Sequence, residues 1–217
     1  MDMPARLNCP LCRAYDIAHF HSDNRRDYYR CGTCQLVFVP PDQRLSLQQE
    51  KAIYDLHQND PHDEGYRRFL SRLFLPLAGR VKAGSQGLDY GCGPGPALAA
   101  MFIEHGFPMA LFDPIYANQP EVLQPDYDFI SCTEVVEHFA TPGCEFQRLF
   151  SLLAPGGWLG IMTKLVLDNE AFSNWHYKND QTHICFFSKN TFQWLAHQYR
   201  CRLEFIGQDV VLLKRIL

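Results

Sequence analysis

The chain reads as an α/β protein: a doubly wound, mostly parallel sheet of seven strands or a reduced set, closed by an antiparallel C-terminal hairpin and preceded by a small cysteine module. Three observations predict this. From Gly84 onward short apolar runs alternate with segments of helical periodicity, and strands separated by helices pair in parallel. The last two apolar runs, RLEFIG and DVVLLKRI, instead follow one another directly, as an antiparallel hairpin does. Ahead of them, Cys9-x2-Cys12 and Cys31-x2-Cys34 stand in a segment too short to build its own core.

Composition bounds the answer. With 217 residues the chain holds one full α/β domain plus a small module, and 47% hydrophobic residues supply a sizeable core. A net charge of −4 without a long charge run gives no footprint for avid, non-specific nucleic-acid binding. The opening MDMPARLNCP lacks an apolar signal region, and no apolar run approaches the ~20 residues of a membrane span, which predicts a cytoplasmic protein. Nine cysteines make an odd count. Beyond the two CxxC pairs, Cys92, Cys132, Cys144, Cys185 and Cys201 read as small core hydrophobes in a reducing compartment.

Each element can be justified in order. YYRC and QLVFV are strand-like pieces within the first 39 residues, and Pro40-Pro41 mark a boundary. This divides the chain into residues 1–43 and 44–217. From Leu45 to about Lys82 the pattern is helical, with a polar break at Asn59-Asp60-Pro61; Tyr66, Phe69, Leu70, Leu73, Phe74 and Leu77 fall at helical spacing. QGLDY is a strand running into GCGPGP, followed by a helix from about Ala97 to His105. MALFD and YDFISC are the next strands, and EVVEHF reads as helical. Residues 145–153 form an amphipathic helix ended by Pro155-Gly156-Gly157, and WLGIMT is a further strand. Thr191 to Tyr199 form a helix capped by Ser188 or Asn190.

The glycine-rich turn LDYGCGPG sits where a strand hands over to a helix, at the edge where open α/β sheets bind cofactors. Asp89 beside it would repel a pyrophosphate but suits a cationic ligand. Pro96 also stands where GxGxxG needs its third glycine. Asp113, about 20 residues on, is placed to accept from ribose hydroxyls.

With these motifs in order, residues 84–217 resemble the class I S-adenosylmethionine (SAM)-dependent methyltransferases. LDYGCGPG is similar to their first motif, FDP to the acidic motif after the second strand, YDFISCTEVVEHFATP to the fourth-strand motif, and LLAPGGWLGIMT to the fifth. The resemblance implies the strand order 3-2-1-4-5-7-6. It assigns Asp89, Tyr90, Gly91, Cys92 and Gly93, then Asp113 and Pro114, then Thr133 and Glu134, to the cofactor. Cys132 or Thr133 would face the adenine edge, and Arg67 is a candidate partner for the cofactor's carboxylate. One departure stands out. Only a dozen residues separate Asp113 from Asp126, so the helix there is expected to shrink to a turn and the third strand to be rudimentary at best.

The 18 residues between the two CxxC pairs match a structural zinc ribbon, with Cys9, Cys12, Cys31 and Cys34 as ligands and His19 and His21 left as surface residues. Its stretch Arg25, Arg26, Tyr28, Tyr29, Arg30 is read as a solvated hairpin face, with a grip on RNA or protein as the alternative.

Methyl transfer needs a deprotonated or metal-activated nucleophile held near the methyl. Glu134, Glu137 and His138 fall at i, i+3 and i+4, one face of a helix. That spacing resembles the ExxEH of ubiquinone-pathway and small-RNA methyltransferases, where it implies a divalent cation such as Mg²⁺; His183 would be the later histidine. Without a metal, His138 or His183 is the general base. NWHYKNDQTHICFF, with Trp175, His176, Tyr177, Asp180 and His183, is either a substrate-pocket wall or a loop covering core. The expected activity is O-methylation of a small-molecule acceptor. An RNA or protein acceptor read by the ribbon, and a catalytically silent SAM-binding module, are the alternatives.

Overall fold

The computed structural model describes residues 7–56, 60–124 and 126–216. The N-terminal module is a three-stranded antiparallel sheet, β1 (Ile17–Ser22), β2 (Asp27–Cys31) and β3 (Val37–Phe38). The sequence pattern missed β1, whose His19 and Ala18 are exposed and whose alternation is weak. Two helices follow, α1 (Leu47–Tyr54), opened by a Ser46–Gln49 capping box, and α2 (Glu64–Ala78), capped by Asp63. Of the expected break between them, Asn59 lies outside the described residues.

The main body then alternates β4 (Gly87–Tyr90), α3 (Ala97–Glu104), β5 (Met109–Phe112), β6 (Tyr127–Thr133), α4 (Pro142–Leu152) and β7 (Leu153–Met162). A short α5 (Asn169–Ser173), β8 (Cys185–Phe186), α6 (Lys189–Gln198) and the hairpin β9 (Cys201–Ile206) and β10 (Val210–Arg215) complete it. The central sheet runs β5-β4-β6-β7-β10-β9: the first four strands are parallel, and β10 is antiparallel to both neighbours. This is the expected order without its third strand. Among the described residues that place is taken by a 3₁₀ turn, Pro120–Leu123, and an isolated bridge between Asp113 and Ala117.

Alternating strand residues build two cores. Phe129, Val210 and Leu212 face α2 and α3, where Leu73, Leu77 and Phe102 meet them. Ile130, Val211 and Leu213 face α4 and α6, with Phe146, Leu149, Phe192 and Leu195. The cysteine module belongs to this second core. β3 pairs antiparallel with β8, so a strand of the main body completes the module's sheet. Gly143, at the start of α4, donates its N–H to Pro10 O at 3.2 Å; a Cβ there would sit 2.5 Å from Leu11 O.

Two local expectations fail. EVVEHF is no α-helix: only Val136–His138 form a 3₁₀ turn, and Glu134 takes a left-handed backbone, φ +52°. Spacing on an α-helical face therefore does not apply to Glu134. The basic-aromatic stretch is solvated only in part: Arg25 and Arg30 are exposed, but Arg26 is 6% exposed and Tyr28 fully buried against the main body.

Candidate functional site

A cavity of about 970 Å³ opens at the carboxyl ends of β4, β5 and β6. Its floor is the glycine turn. Gly91 and Gly93 have φ of +79° and +62°, and Val135 packs so closely on Gly91 that a Cβ there would lie 2.5 Å from its Cγ2. Gly91 and Cys92 donate their N–H groups to Phe112 O at 2.7 and 3.2 Å, which ties the turn to β5.

Asp113 knots the same turn. Its Oδ2 accepts from Gly93 N at 3.1 Å, and its Oδ1 from Ile115 N and Tyr116 N at 2.8 and 3.0 Å. Three amides occupy three of about four lone-pair directions on a carboxylate, and Asp113 lines the cavity. Asp89 is buried and accepts from Ser131 Oγ at 2.7 Å; burial lifts its carboxyl to about 6. A cation beside it would restore the ionised form. Tyr90 also lines the cavity; its hydroxyl meets Glu145 and receives Arg148 Nη1 at 3.0 Å, and both of these residues line it too. Burial pushes the Cys92 thiol up to about 12, so it stays neutral. Pro114 and Thr133 also line the cavity, and Thr133 Oγ1 is buried with no hydrogen-bond partner in the protein. An orphaned hydroxyl beside a cavity is one that a bound ligand or an ordered water can satisfy. Cys132, by contrast, is wholly buried in the second core.

Arg67 is not part of this wall. Its guanidinium pairs with Glu104 and Pro61 O on the outer side of α2, while Tyr66 and Phe69 of the same helix line the cavity. Being one residue apart on a helix, Tyr66 and Arg67 point about 100° away from each other.

The other end of the cavity carries two imidazoles. His138 Nδ1 donates to Thr182 O at 3.0 Å and His183 Nδ1 to Tyr177 O at 2.7 Å. A carbonyl can only accept, so each ring keeps its proton on Nδ1 and turns an Nε2 lone pair outward. Burial lowers the pKa of both; His183, also opposed by His138, falls to about 4. Both rings are neutral at physiological pH. Their centroids lie 4.8 Å apart, and Tyr54 of α1 meets His138 edge-on at 5.5 Å.

Glu137 lies behind them, fully buried, with Thr163 Oγ1 donating to Oε2 at 3.0 Å and the Tyr177 hydroxyl to Oε1. The same phenol is 3.3 Å from Glu134 Oε2. Burial raises both acids, Glu134 further because Glu137 opposes it, to about 8 and 7. Ligand atoms of Glu137, His138 and His183 lie within 4.8 Å of one another; Glu134 is not in that group. Of the loop residues named from sequence, Asp180 and His183 reach the cavity, whereas Tyr177 and Trp175 pack among aromatic rings. Sequence reading missed Glu50 and Tyr54, although their i, i+4 spacing puts them on one face of α1.

In the module, Sγ of Cys9 and Cys34 lie 3.4 Å apart, as do those of Cys12 and Cys31, and all four are within 4.8 Å of one another.

A methyltransferase-domain family matches residues 62–204. The chain belongs to that family. It is a SAM-dependent methyltransferase of class I. No curated protein sequence matches it. Among solved structures it is similar to the 1,6-didemethyltoxoflavin-N1-methyltransferase of Burkholderia thailandensis, bound to 1,6-didemethyltoxoflavin and S-adenosylhomocysteine, with 15% identity, TM-score 0.53, 84% of this chain and 96% of that one. A chain of the Haloferax volcanii complex of the Trm112 methyltransferase activator aligns at 12% identity and TM-score 0.53, over 73% and 95%. CalO1 of calicheamicin biosynthesis, in its S-adenosylhomocysteine-bound form, aligns at 12% identity and TM-score 0.53, over 79% of this chain and 59% of its own. At these identities the likeness concerns the fold.

Proposed function

We propose that this methyltransferase modifies an oxygen of a small-molecule acceptor, with His138 taking the acceptor's proton. One observation carries the reading: two neutral imidazoles, each fixed by an Nδ1–H bond to a backbone carbonyl, present bare Nε2 atoms in the cavity wall. A positioned imidazole base contributes on the order of 10²–10⁴-fold. SAM, when bound, supplies an electrophilic methyl on a sulfonium. Gly91, Gly93 and Asp113 are suited to hold its ribose and methionine parts, and Asp89 its positive charge. Around the imidazoles the ionisable lining groups are Glu50, Glu134 and Asp180, while Lys51 is paired with Asp55. Burial pushes Glu50 and Glu134 toward their neutral forms, and the lining cations Lys51 and Arg148 are engaged by Asp55 and Glu145. The wall therefore offers hydrogen bonds rather than a free cation, which supports a hydroxyl-bearing, uncharged or cationic acceptor. It speaks against a phosphate-rich one such as RNA, and the burial of Arg26 and Tyr28 leaves the ribbon stretch only Arg25 and Arg30 as exposed bases.

The four thiolates suit one closed, structural zinc site in a ribbon spanning residues 1–43, ahead of a catalytic domain from 44 to 217. Nine free cysteines suit a reducing compartment, so we assign the protein to the cytoplasm; among the described residues no helix is long and apolar enough to cross a membrane.

His138→Asn tests the base. Asparagine keeps a donor for Thr182 O and removes Nε2. Release of S-adenosylhomocysteine with a panel of polyols, amines, phosphorylated analogues and RNA should favour the hydroxylated, non-phosphorylated acceptors. With them the variant should lose ~100-fold in kcat, at nearly unchanged SAM affinity. Full turnover removes His138 from the mechanism. Loss of activity on chelation, restored by Mg²⁺, would move the role to an ion at Glu137, His138 and His183.

A further inference from the structure

The ribbon hairpin packs on the main body through Phe20, Tyr28 and Asp23, and through one buried cation. Arg26, between β1 and β2, lays its guanidinium against the loop that follows α5. Nη1 donates to Gln181 O and His183 O, each at 3.0 Å, and Nη2 to Lys178 O and Asp180 O, at 2.6 and 3.1 Å. Among the described residues no carboxylate forms an ion pair with it. A buried guanidinium is costly to desolvate, and here four converging carbonyls compensate it, with the Tyr28 ring 5.5 Å away on one face. Beside it, Asp23 accepts from Tyr28 Oη at 2.8 Å and lies 3.4 Å from Lys178 Nζ.

The loop so clamped is the one that sets the imidazoles. Thr182, whose carbonyl takes the His138 proton bond, stands between Gln181 and His183, both held by Nη1. His183 is itself in the clamp. Its Nε2 lies 3.8 Å from Asp180 Oδ2, an acceptor facing an acceptor, a spacing the loop must hold because no hydrogen bond joins the pair.

We infer that Arg26 is a positioning residue for methyl transfer: from the ribbon it fixes the carbonyl frame of residues 178–183 and thereby the tautomer and aim of His138 and His183. The inference rests on the reading of these imidazoles as the basic pair. It gives the ribbon a role inside the acceptor site without contact to the acceptor. Lysine cannot take the role, since a point donor does not reproduce a planar fork serving four carbonyls.

The groups that bear on His138 are Glu50 and Tyr54 from α1, with Asp180 and His183 from the loop. Those on His183 are His138, Asp180, Tyr177 and Arg26 itself. Long-range ¹H–¹⁵N spectra of the histidine side chains, recorded on the full chain between pH 4.5 and 8, read tautomer and titration together. In the wild type both rings should carry the proton on Nδ1 and titrate below the ordinary range. In Arg26→Gln the tautomers should mix and the midpoints rise by about half a unit or more as water enters the loosened loop. Calorimetric affinity for S-adenosylhomocysteine should stay within about threefold, because Gly91, Gly93 and Asp113 lie away from the loop. Arg26→Lys should resemble Gln. Imidazole spectra unchanged in a folded Gln variant overturn the inference, and so does an equal loss of S-adenosylhomocysteine binding, which would mark general destabilisation. If the Gln variant does not fold, Arg26→Lys decides by the same two readouts, wild-type spectra counting against. The spectra need no acceptor, so they stand apart from the outcome of His138→Asn.

Discussion

Replacing Gly91 with alanine tests the cofactor turn. At φ +79° any L-residue adds about 1–2 kcal/mol of backbone strain. The new Cβ would also lie 2.5 and 2.6 Å from the two γ-methyls of Val135, well inside contact distance. Overpacking of that kind costs about 1–3 kcal/mol. Neither side can give way freely: Gly91 N is bonded to Phe112 O at 2.7 Å, and Val135 follows Glu134, already in the left-handed region. The sum is about 2–5 kcal/mol, read as a shift of the urea midpoint of the ligand-free protein. A displaced turn also weakens SAM binding, by tenfold for every 1.4 kcal/mol of misfit. Adding Val135→Ala removes the clash and leaves the φ strain, so the double variant should recover about 1–3 kcal/mol against additivity. A loss below about 0.5 kcal/mol in Gly91→Ala, or no coupling to Val135, refutes the reasoning.

Asp113→Ala frees the amides of Gly93, Ile115 and Tyr116 at once, and calorimetry should show SAM affinity falling at least about tenfold. Arg67→Ala should leave SAM affinity unchanged, because Arg67 pairs with Glu104; a marked loss would return it to the cofactor. Glu134 sets a pH dependence. Its folded pKa of about 8 lies above its ordinary value, so the unfolded chain sheds that proton first and stability falls as pH rises from about 5 to 8. Glu134→Gln should flatten that slope, by up to about 1.4 kcal/mol per pH unit, in urea midpoints compared at pH 5.5 and 8. Tyr116→Phe cuts the 2.7 Å bond to Asp55 and should speed hydrogen exchange in α1; unchanged exchange would mean the bond does not hold that helix.

Much of the fold was legible because burial on both faces of the central strands leaves near-continuous apolar runs, and the closing hairpin has no helix between its strands. The cofactor turn was legible for a local reason: positive φ at Gly91 and Gly93 demands glycine. What failed depended on distant partners. EVVEHF carries helical spacing, yet Glu134 N bonds Met162 O at the end of β7 and the backbone turns left-handed before a helix can start. Arg26 and Tyr28 look like solvated hairpin residues until β8, some 150 positions away, pairs with β3 and brings the main body against them. Composition alone cannot tell which face of a hairpin is covered.

The missing third strand has a structural consequence of its own. Its loss makes β5 an edge, which a Pro120–Leu123 turn covers, held by Tyr127 Oη on Val122 O at 2.7 Å. The segment between runs Asp113 to Tyr116 along the cavity, and Tyr116 reaches Asp55 at the end of α1 while Lys51 lies over its ring. The same α1 turns Glu50 and Tyr54 toward His138. A full helix and strand after β5 would have made a separate cofactor wall. The shortened segment instead ties the cofactor side of the cavity to the helix that lines its acceptor side. α1 fully buries no side chain, with Ile53 and Tyr54 half-buried, so these polar ties add to a thin apolar face in holding it over the site.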